Sequence, residues 1–331
     1  MARMFRYILQ RLLQMLPKLL LISVITFGIS KLAPGDYVSN KMMNNPTVSQ
    51  EAIDRERARL GLDKPIPIQY LKWAQNFATG DLGESYDYRE KVSTLIKMKL
   101  QATLVLGVAA FLFTWLIALP LGILMAVRQY SWFEKVFSSI TFFFLGVPDF
   151  FLAILLLMGA AWWNQSHPGF FPIGGMTSPD YALMNPVQQA VDHLWHLLIP
   201  VLAVGIGSIA ILQRRMRGNL LDVLGEEYVR TARAKGLPER TVIYRHAVRN
   251  ALNPMITLLG FEFASLLSGF AIIENIISWP GLGQMMLDAL LKQDVNLAMA
   301  GVMTGALMLL LGNLLADVLL ALSDPRIKLE A

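Results

Sequence analysis

Thr103-Leu-Val-Leu-Gly-Val-Ala-Ala-Phe-Leu-Phe-Thr-Trp-Leu-Ile-Ala-Leu-Pro-Leu-Gly-Ile-Leu-Met-Ala-Val127 carries no charged side chain. A helix rises 1.5 Å per residue, so about 20 apolar residues cross the roughly 30 Å of bilayer hydrocarbon. This stretch is long enough to do so. Five further runs read the same way: Leu12–Leu32, Val136–Trp163, Leu197–Leu212, Leu252–Ile273 and Val295–Leu322. The expectation is an all-α integral membrane protein with six transmembrane helices. Composition agrees. Of 331 residues, 55% are hydrophobic and 16% charged, against roughly 25% charged in soluble domains. The mean hydropathy is +0.48. The absence of cysteine excludes thiol catalysis, thiolate metal sites and disulfides.

The net charge of +5 points to membrane orientation rather than to nucleic acid. Arg3, Arg6 and Arg11 precede the first run, Arg128 and Lys135 follow the second, and Arg326 and Lys328 lie in the tail. The segment Arg214–Asn250 holds nine Lys and Arg, Asn164–Trp195 holds none, and Glu274–Asp294 holds only Lys292. The positive-inside rule then puts both termini and the 214–250 loop in the cytoplasm, which an even number of spans requires. A cleaved signal peptide is the rival reading of the start, with Leu19–Ile29 as its apolar run. Ser30-Lys31-Leu32 offers no small-x-small cleavage pattern, so the first span is expected to be retained.

Three parts follow: residues 1–32, an extracytoplasmic insert at 33–102, and a five-helix core at 103–331. In the insert, Thr47-Val-Ser-Gln50 predicts a capping box and Gly61 the end of the helix it opens. Ile66, Tyr70, Trp73 and Phe77 recur at helical spacing. Val92, Leu95, Ile96 and Leu100, interleaved with Lys91, Lys97 and Lys99, predict either a helix lying in the interface or an amphipathic packing helix.

The 214–250 loop is too long for a simple connector and too basic to be buried. Tyr228 to Lys235 has adequate helix formers, stopped by Gly236 and Pro238, and a second helix is expected after Glu239. A short helix held between two spans is suited to transmit motion from a soluble partner; a solvated basic loop is the plainer reading.

This loop resembles the coupling segment of ATP-binding-cassette (ABC) importer permeases, in the dipeptide and oligopeptide branch. Permeases in general carry Glu-Ala-Ala with a glycine six residues on. Here Gly236 matches the glycine, and Arg230-Thr-Ala232 stands in the Glu-Ala-Ala positions. Arg230-Thr-Ala-Arg-Ala-Lys-Gly236 is similar to the peptide branch's own version. The likeness continues in Leu32-Ala-Pro-Gly-Asp36, Leu60-Gly-Leu-Asp-Lys-Pro65, Gly80-Asp-Leu-Gly-Glu-Ser85, Ser268-Gly-Phe-Ala-Ile-Ile-Glu274, Ser278-Trp-Pro-Gly-Leu-Gly283, Gly312-Asn-Leu-Leu-Ala-Asp317 and Ser323-Asp-Pro-Arg326.

The resemblance implies the six-helix membrane domain of this importer class in a bacterial cytoplasmic membrane. It also implies a second permease subunit, two ATPase subunits and an extracytoplasmic solute-binding protein, working by alternating access on peptides, or on nickel or glutathione. ATP and Mg would sit on the ATPases, because this chain has no Gly-x-x-x-x-Gly-Lys-Ser/Thr loop; no catalytic or metal site is expected on it, and no nucleic acid partner. Coupling is assigned by resemblance to Glu227, Tyr228, Arg230, Thr231, Ala232, Arg233, Ala234, Lys235 and Gly236.

Two other classes fit the sequence less well. An ion-coupled carrier favours internal repeats and midplane charges; Asp149, Glu262 and Asp317 are such charges, but no repeat is visible. An intramembrane hydrolase needs more than His193 and His196, which no His-Glu-x-x-His pattern accompanies. Asp149 and Glu262, both expected near mid-depth, are candidates for the substrate pathway, with a structural role as the alternative. Trp279, Pro280 and Gly281 are expected in an external turn, touching the binding protein or anchoring at the interface.

Overall fold

The computed structural model describes residues 2–32, 37–38, 49–255, 258 and 270–323. Among them the architecture is helical, with one isolated bridge between Glu84 and Lys91 in place of any sheet. Among the described residues four helices are long and apolar enough to cross a membrane: α1 (Ala2–Leu32), α4 (Val92–Val127), α7 (Pro186–Leu224) and α13 (Val295–Ser323). Between the first two lie α2 (Gln50–Leu60) and α3 (Ile66–Ala78). Most of the expected fifth span, Glu262 included, lies outside the described residues.

The expected third span is not one straight helix. It consists of α5 (Trp132–Leu145) and α6 (Asp149–Ser166), bent by 102°. Gly146-Val147-Pro148 causes the break: Pro148 has no N–H to give, and its ring drives the preceding residue out of helical conformation. The fourth span is longer than its apolar run suggests. Asn185 and Gln188 form a reciprocal capping box, Pro186 takes the first turn, and α7 continues past Gln213 to Leu224. The polar ends that bracket the apolar stretch prolong the helix rather than ending it.

α4 and α7 make the central pair. They meet closely at Gly122, where a Cβ would lie 2.6 Å from the Gln213 carbonyl oxygen, as small residues permit in membrane bundles. α1 packs on α13, with Arg11 and Asp317 paired at 3.2 Å.

In the insert, the N-cap of α2 is Ser49, whose Oγ accepts from Ala52 N at 3.3 Å. Thr47, two residues earlier, lies outside the described residues. Gly61 ends α2 at φ +71°. Val92–Leu100 does not lie separately in the interface. It forms the first turns of α4, with Val92, Leu95 and Ile96 buried against Leu282, Met285 and Leu297. The packing alternative therefore holds, and the helix runs through the 102/103 division between insert and core.

Candidate functional site

After α7 the chain turns at Gly225 into α8 (Glu227–Ala234). α8 is too short to be stable alone, so tertiary contacts hold it. Val229 is fully buried and Ala232 nearly so, in one apolar cluster with Leu212, Met216 and Leu220 of α7 and Ala118 and Ala126 of α4. Burying a valine contributes roughly 1.5–3 kcal/mol. Next come α9 (Glu239–Thr241), a π-helical turn at Val242–Ala247, and α10 (Val248–Ala251). The wider turn brings Val242, Ile243 and Ala247 into the same cluster. Asn250 Nδ2 donates to the Tyr228 hydroxyl at 2.8 Å, tying α10 to α8.

The opposite face of α8 is open. Glu227, Tyr228, Arg230, Thr231, Arg233, Ala234 and Lys235 are exposed. Arg233 pairs with Glu239 at 2.7 Å, and its hydrogen bond holds that carboxyl below the ordinary range. Gly236 closes the helix at φ +75°, its N–H donating to Arg233 O at 2.9 Å. That conformation strains any residue with a Cβ, although space for one is free there.

Asp149 stands in the first turn of α6, just past the break, rather than midway along a continuous helix. It is exposed in this chain, and its Oδ1 lies 2.8 Å from where a Cβ on Gly207 of α7 would be. Asp149 thus abuts α7 where that helix has no side chain. Glu262, the other pathway candidate, lies outside the described residues.

The turn Ser278–Gly281 lies between α11 (Ala271–Ile276) and α12 (Leu282–Leu291). Trp279 is fully buried, and its Nε1 donates to Ala102 O at 2.9 Å. Its ring is therefore unavailable to lipid headgroups or to a protein surface. Gly281 is buried against the Glu274 carboxylate, where a Cβ would collide with it, and of the three only Pro280 keeps partial exposure.

Sequence reading missed the polar framework around this turn. Thr103 Oγ1 donates to Glu274 Oε1 at 2.6 Å and accepts from Leu282 N at 2.7 Å; Gln284 N donates to Oε2 at 3.0 Å. Burial raises the Glu274 carboxyl above its ordinary value despite these bonds. Asp294, also fully buried, caps α13 through Leu297 N and accepts from Ser85 Oγ at 2.5 Å and Asp87 N at 3.1 Å. This explains Gly80–Ser85: it clamps the insert onto the α12–α13 corner, helped by Lys292–Asp87 at 2.7 Å. On the other end of the bundle, Glu134 of α5 is buried and takes the Arg217 Nε at 2.6 Å. These pairs join residues far apart in sequence, and only the apolar surroundings of each charge hinted at a partner.

His196 is buried, with Nδ1 2.9 Å from the Asp192 carbonyl oxygen and 3.5 Å from its carboxylate. Asp192 in turn accepts from Ser178. Among the described residues no third ligand joins the histidines to make a metal site; the Asp192–Ser178 bonds anchor the 170s loop to α7.

Residues 118–329 match the family described as the binding-protein-dependent transport system inner membrane component. Residues 4–107 match the N-terminal membrane component of the same systems. The chain is 36% identical over 326 residues to the oligopeptide transport system permease protein AppB of Bacillus subtilis, covering 98% of this chain and 100% of that one. It is 36% identical over 337 residues to the dipeptide transport system permease protein DppB of Escherichia coli K12 (98% and 99%). It is 34% identical over 334 residues to the di/tripeptide permease protein DppB of Pseudomonas aeruginosa (98% and 99%). With more than half its length matched by that model and related permeases aligned end to end, the chain belongs to the family of binding-protein-dependent transport system inner membrane components.

Proposed function

We propose that this chain is one of two permease subunits of an ATP-driven importer that brings short peptides into a bacterial cell across its cytoplasmic membrane. Six spans, with both termini and the 214–250 loop in the cytoplasm, fit the lysine and arginine distribution. The names of the relatives support peptide cargo.

One observation carries the coupling role: α8 is docked by Val229 and Ala232 onto the ends of α4 and α7, while its other face is open. A soluble subunit that grips the open face moves α8, and the buried face passes the displacement to the central helix pair as a packed unit. ATP binding and hydrolysis, with Mg, take place on two partner ATPases, and a binding protein delivers cargo from outside. The Glu134–Arg217 pair fastens α5 to α7 just before α7 reaches α8, so the bent α5–α6 pair is included in the moving unit. Asp149 and Glu262 contribute negative charge to the route between the spans.

The test is purification of the natively expressed complex in mild detergent, followed by reconstitution. A second permease and ATPases should be recovered, and peptide uptake should require ATP and the binding protein. A lone chain that transports actively in liposomes would sink this reading.

A further inference from the structure

Beside the outer end of α1, under the proposed topology, lies a cavity of about 740 Å³ whose walls come from α1, α2, α3 and the 81–89 loop. Two contacts fix how deep α3 sits along α1. The Tyr70 hydroxyl and Ser23 Oγ share a hydrogen bond of 2.9 Å, and the Tyr70 and Phe27 rings pack edge to face at 5.4 Å. Ser23 stands about 13 Å below Leu32 along α1 at 1.5 Å per residue. α3 therefore lies alongside the outer half of a membrane-crossing helix and not above it.

α3 has no buried residue and leaves Ile66, Ile68 and Leu71 exposed at 52%, 49% and 65%. Such a helix is stable at a lipid interface, with its apolar side against acyl chains.

Cations outnumber anions on the cavity wall, with Lys31, Arg59, Lys64, Lys72 and Arg89 against Glu56, Asp81 and Glu84. Glu56 is bound by Arg59 at 2.6 and 2.8 Å, and Asp81 accepts from Gly83 N. Lys64, Lys72 and Arg89 line the same space and make no ion pair among the described residues. A cationic pocket of ligand size beside an apolar interfacial helix matches one chemistry: a phosphate attached to acyl chains.

We propose that this cavity binds the headgroup of an anionic phospholipid, with Lys64, Lys72 and Arg89 receiving the phosphate and the apolar side of α3 receiving the chains. The site rests on the membrane reading of α1 and is independent of cargo, so peptide uptake and lipid retention fail separately.

The complete transporter, with wild-type or K64Q/K72Q/R89Q permease, is reconstituted in phosphatidylcholine vesicles doped with phosphatidylglycerol, re-extracted, and its retained lipid measured by mass spectrometry. K97Q, at an exposed lysine outside the cavity, controls for general charge loss. The single change K72Q gives a reading should the triple variant assemble poorly. Wild type and K97Q should retain phosphatidylglycerol selectively, and the triple variant should lose it by at least about ten-fold, as expected on losing several charge-assisted contacts. Equal retention in the triple or K72Q variant overturns the proposal. So does displacement of the lipid by inorganic phosphate or by a short peptide, since the source would then be a soluble anion. Greater protection of residues 66–73 from hydrogen exchange in the complex without phosphatidylglycerol than in the isolated permease would show a partner subunit on the site instead, and would equally overturn it.

Discussion

Thr103 donates its hydroxyl hydrogen to Glu274 at 2.6 Å across 171 residues of sequence, joining α4 to α11. The same hydroxyl oxygen accepts from Leu282 N, so one threonine links a carboxylate to a backbone that would otherwise lack a partner.

Removing that carboxylate exposes the dependence. Glu274→Ala leaves the Thr103 hydroxyl and Gln284 N–H buried without their acceptor, at a cost of about 1–3 kcal/mol, whereas Glu274→Gln keeps an acceptor and sheds a buried charge. The pH dependence has a definite sign. Burial raises the folded carboxyl above its ordinary 4.5, so the folded state holds this proton more tightly than the unfolded one. Stability is lost as pH rises from 4.5 through the raised value and regained on acidification. Hydrogen exchange of residues 271–291 against pH should show this slope in the wild type, and Glu274→Gln should flatten it.

At α8, strain and docking can be separated. Gly236→Val forces a β-branched residue to φ +75°, a cost of about 1–2 kcal/mol at a site with room for the side chain. Membrane insertion should be normal, and uptake and transport-stimulated ATP hydrolysis should fall together. Val229→Ala removes about two buried methylene equivalents, roughly 1.5 kcal/mol, and loosens the inner face alone. The ATPases should then stay bound and hydrolyse ATP with less uptake per ATP. Wild-type stoichiometry in Val229→Ala would show that this contact transmits nothing.

The Glu134–Arg217 pair predicts asymmetric rescue. Arg217→Met leaves Glu134 buried without its cation, and breaking such a pair typically costs about 3–5 kcal/mol. Adding Glu134→Gln removes the stranded charge and should restore most of the thermal stability of the complex, measured by scanning fluorimetry. Equal instability of the single and double variants would mean that the pair is not coupled.

Asp149→Asn and Glu262→Gln keep size and much of the hydrogen bonding but remove charge. A pathway role predicts reduced uptake with intact assembly, more so for cationic peptides. Wild-type uptake of both cationic and neutral peptides by the double variant would take these residues out of the route. Because Asp149 abuts Gly207, Gly207→Ala should mimic the Asp149 defect by displacing its carboxylate.

The sequence by itself determined the environment and the class of the molecule. Uncharged runs such as Thr103–Val127 have one favourable solvent, and a backbone in hydrocarbon must satisfy its own hydrogen bonds as a helix. Local chemistry also marked two helix ends, because Gly61 and Gly236 act on their own neighbours through a left-handed turn. What needed the tertiary structure was every feature built from distant partners. The 102° bend at Gly146–Pro148 sits inside an apolar run, and hydropathy does not register direction. Trp279 and Pro280 read as an exposed turn because tryptophan suits a membrane interface as well as a core; the Ala102 carbonyl, brought up by α4, decides for the core. Glu134, Glu274 and Asp294 look like loop charges until folding supplies Arg217, Thr103 and Ser85. Burial and pairing depend on where the rest of the chain arrives, and no local pattern encodes that.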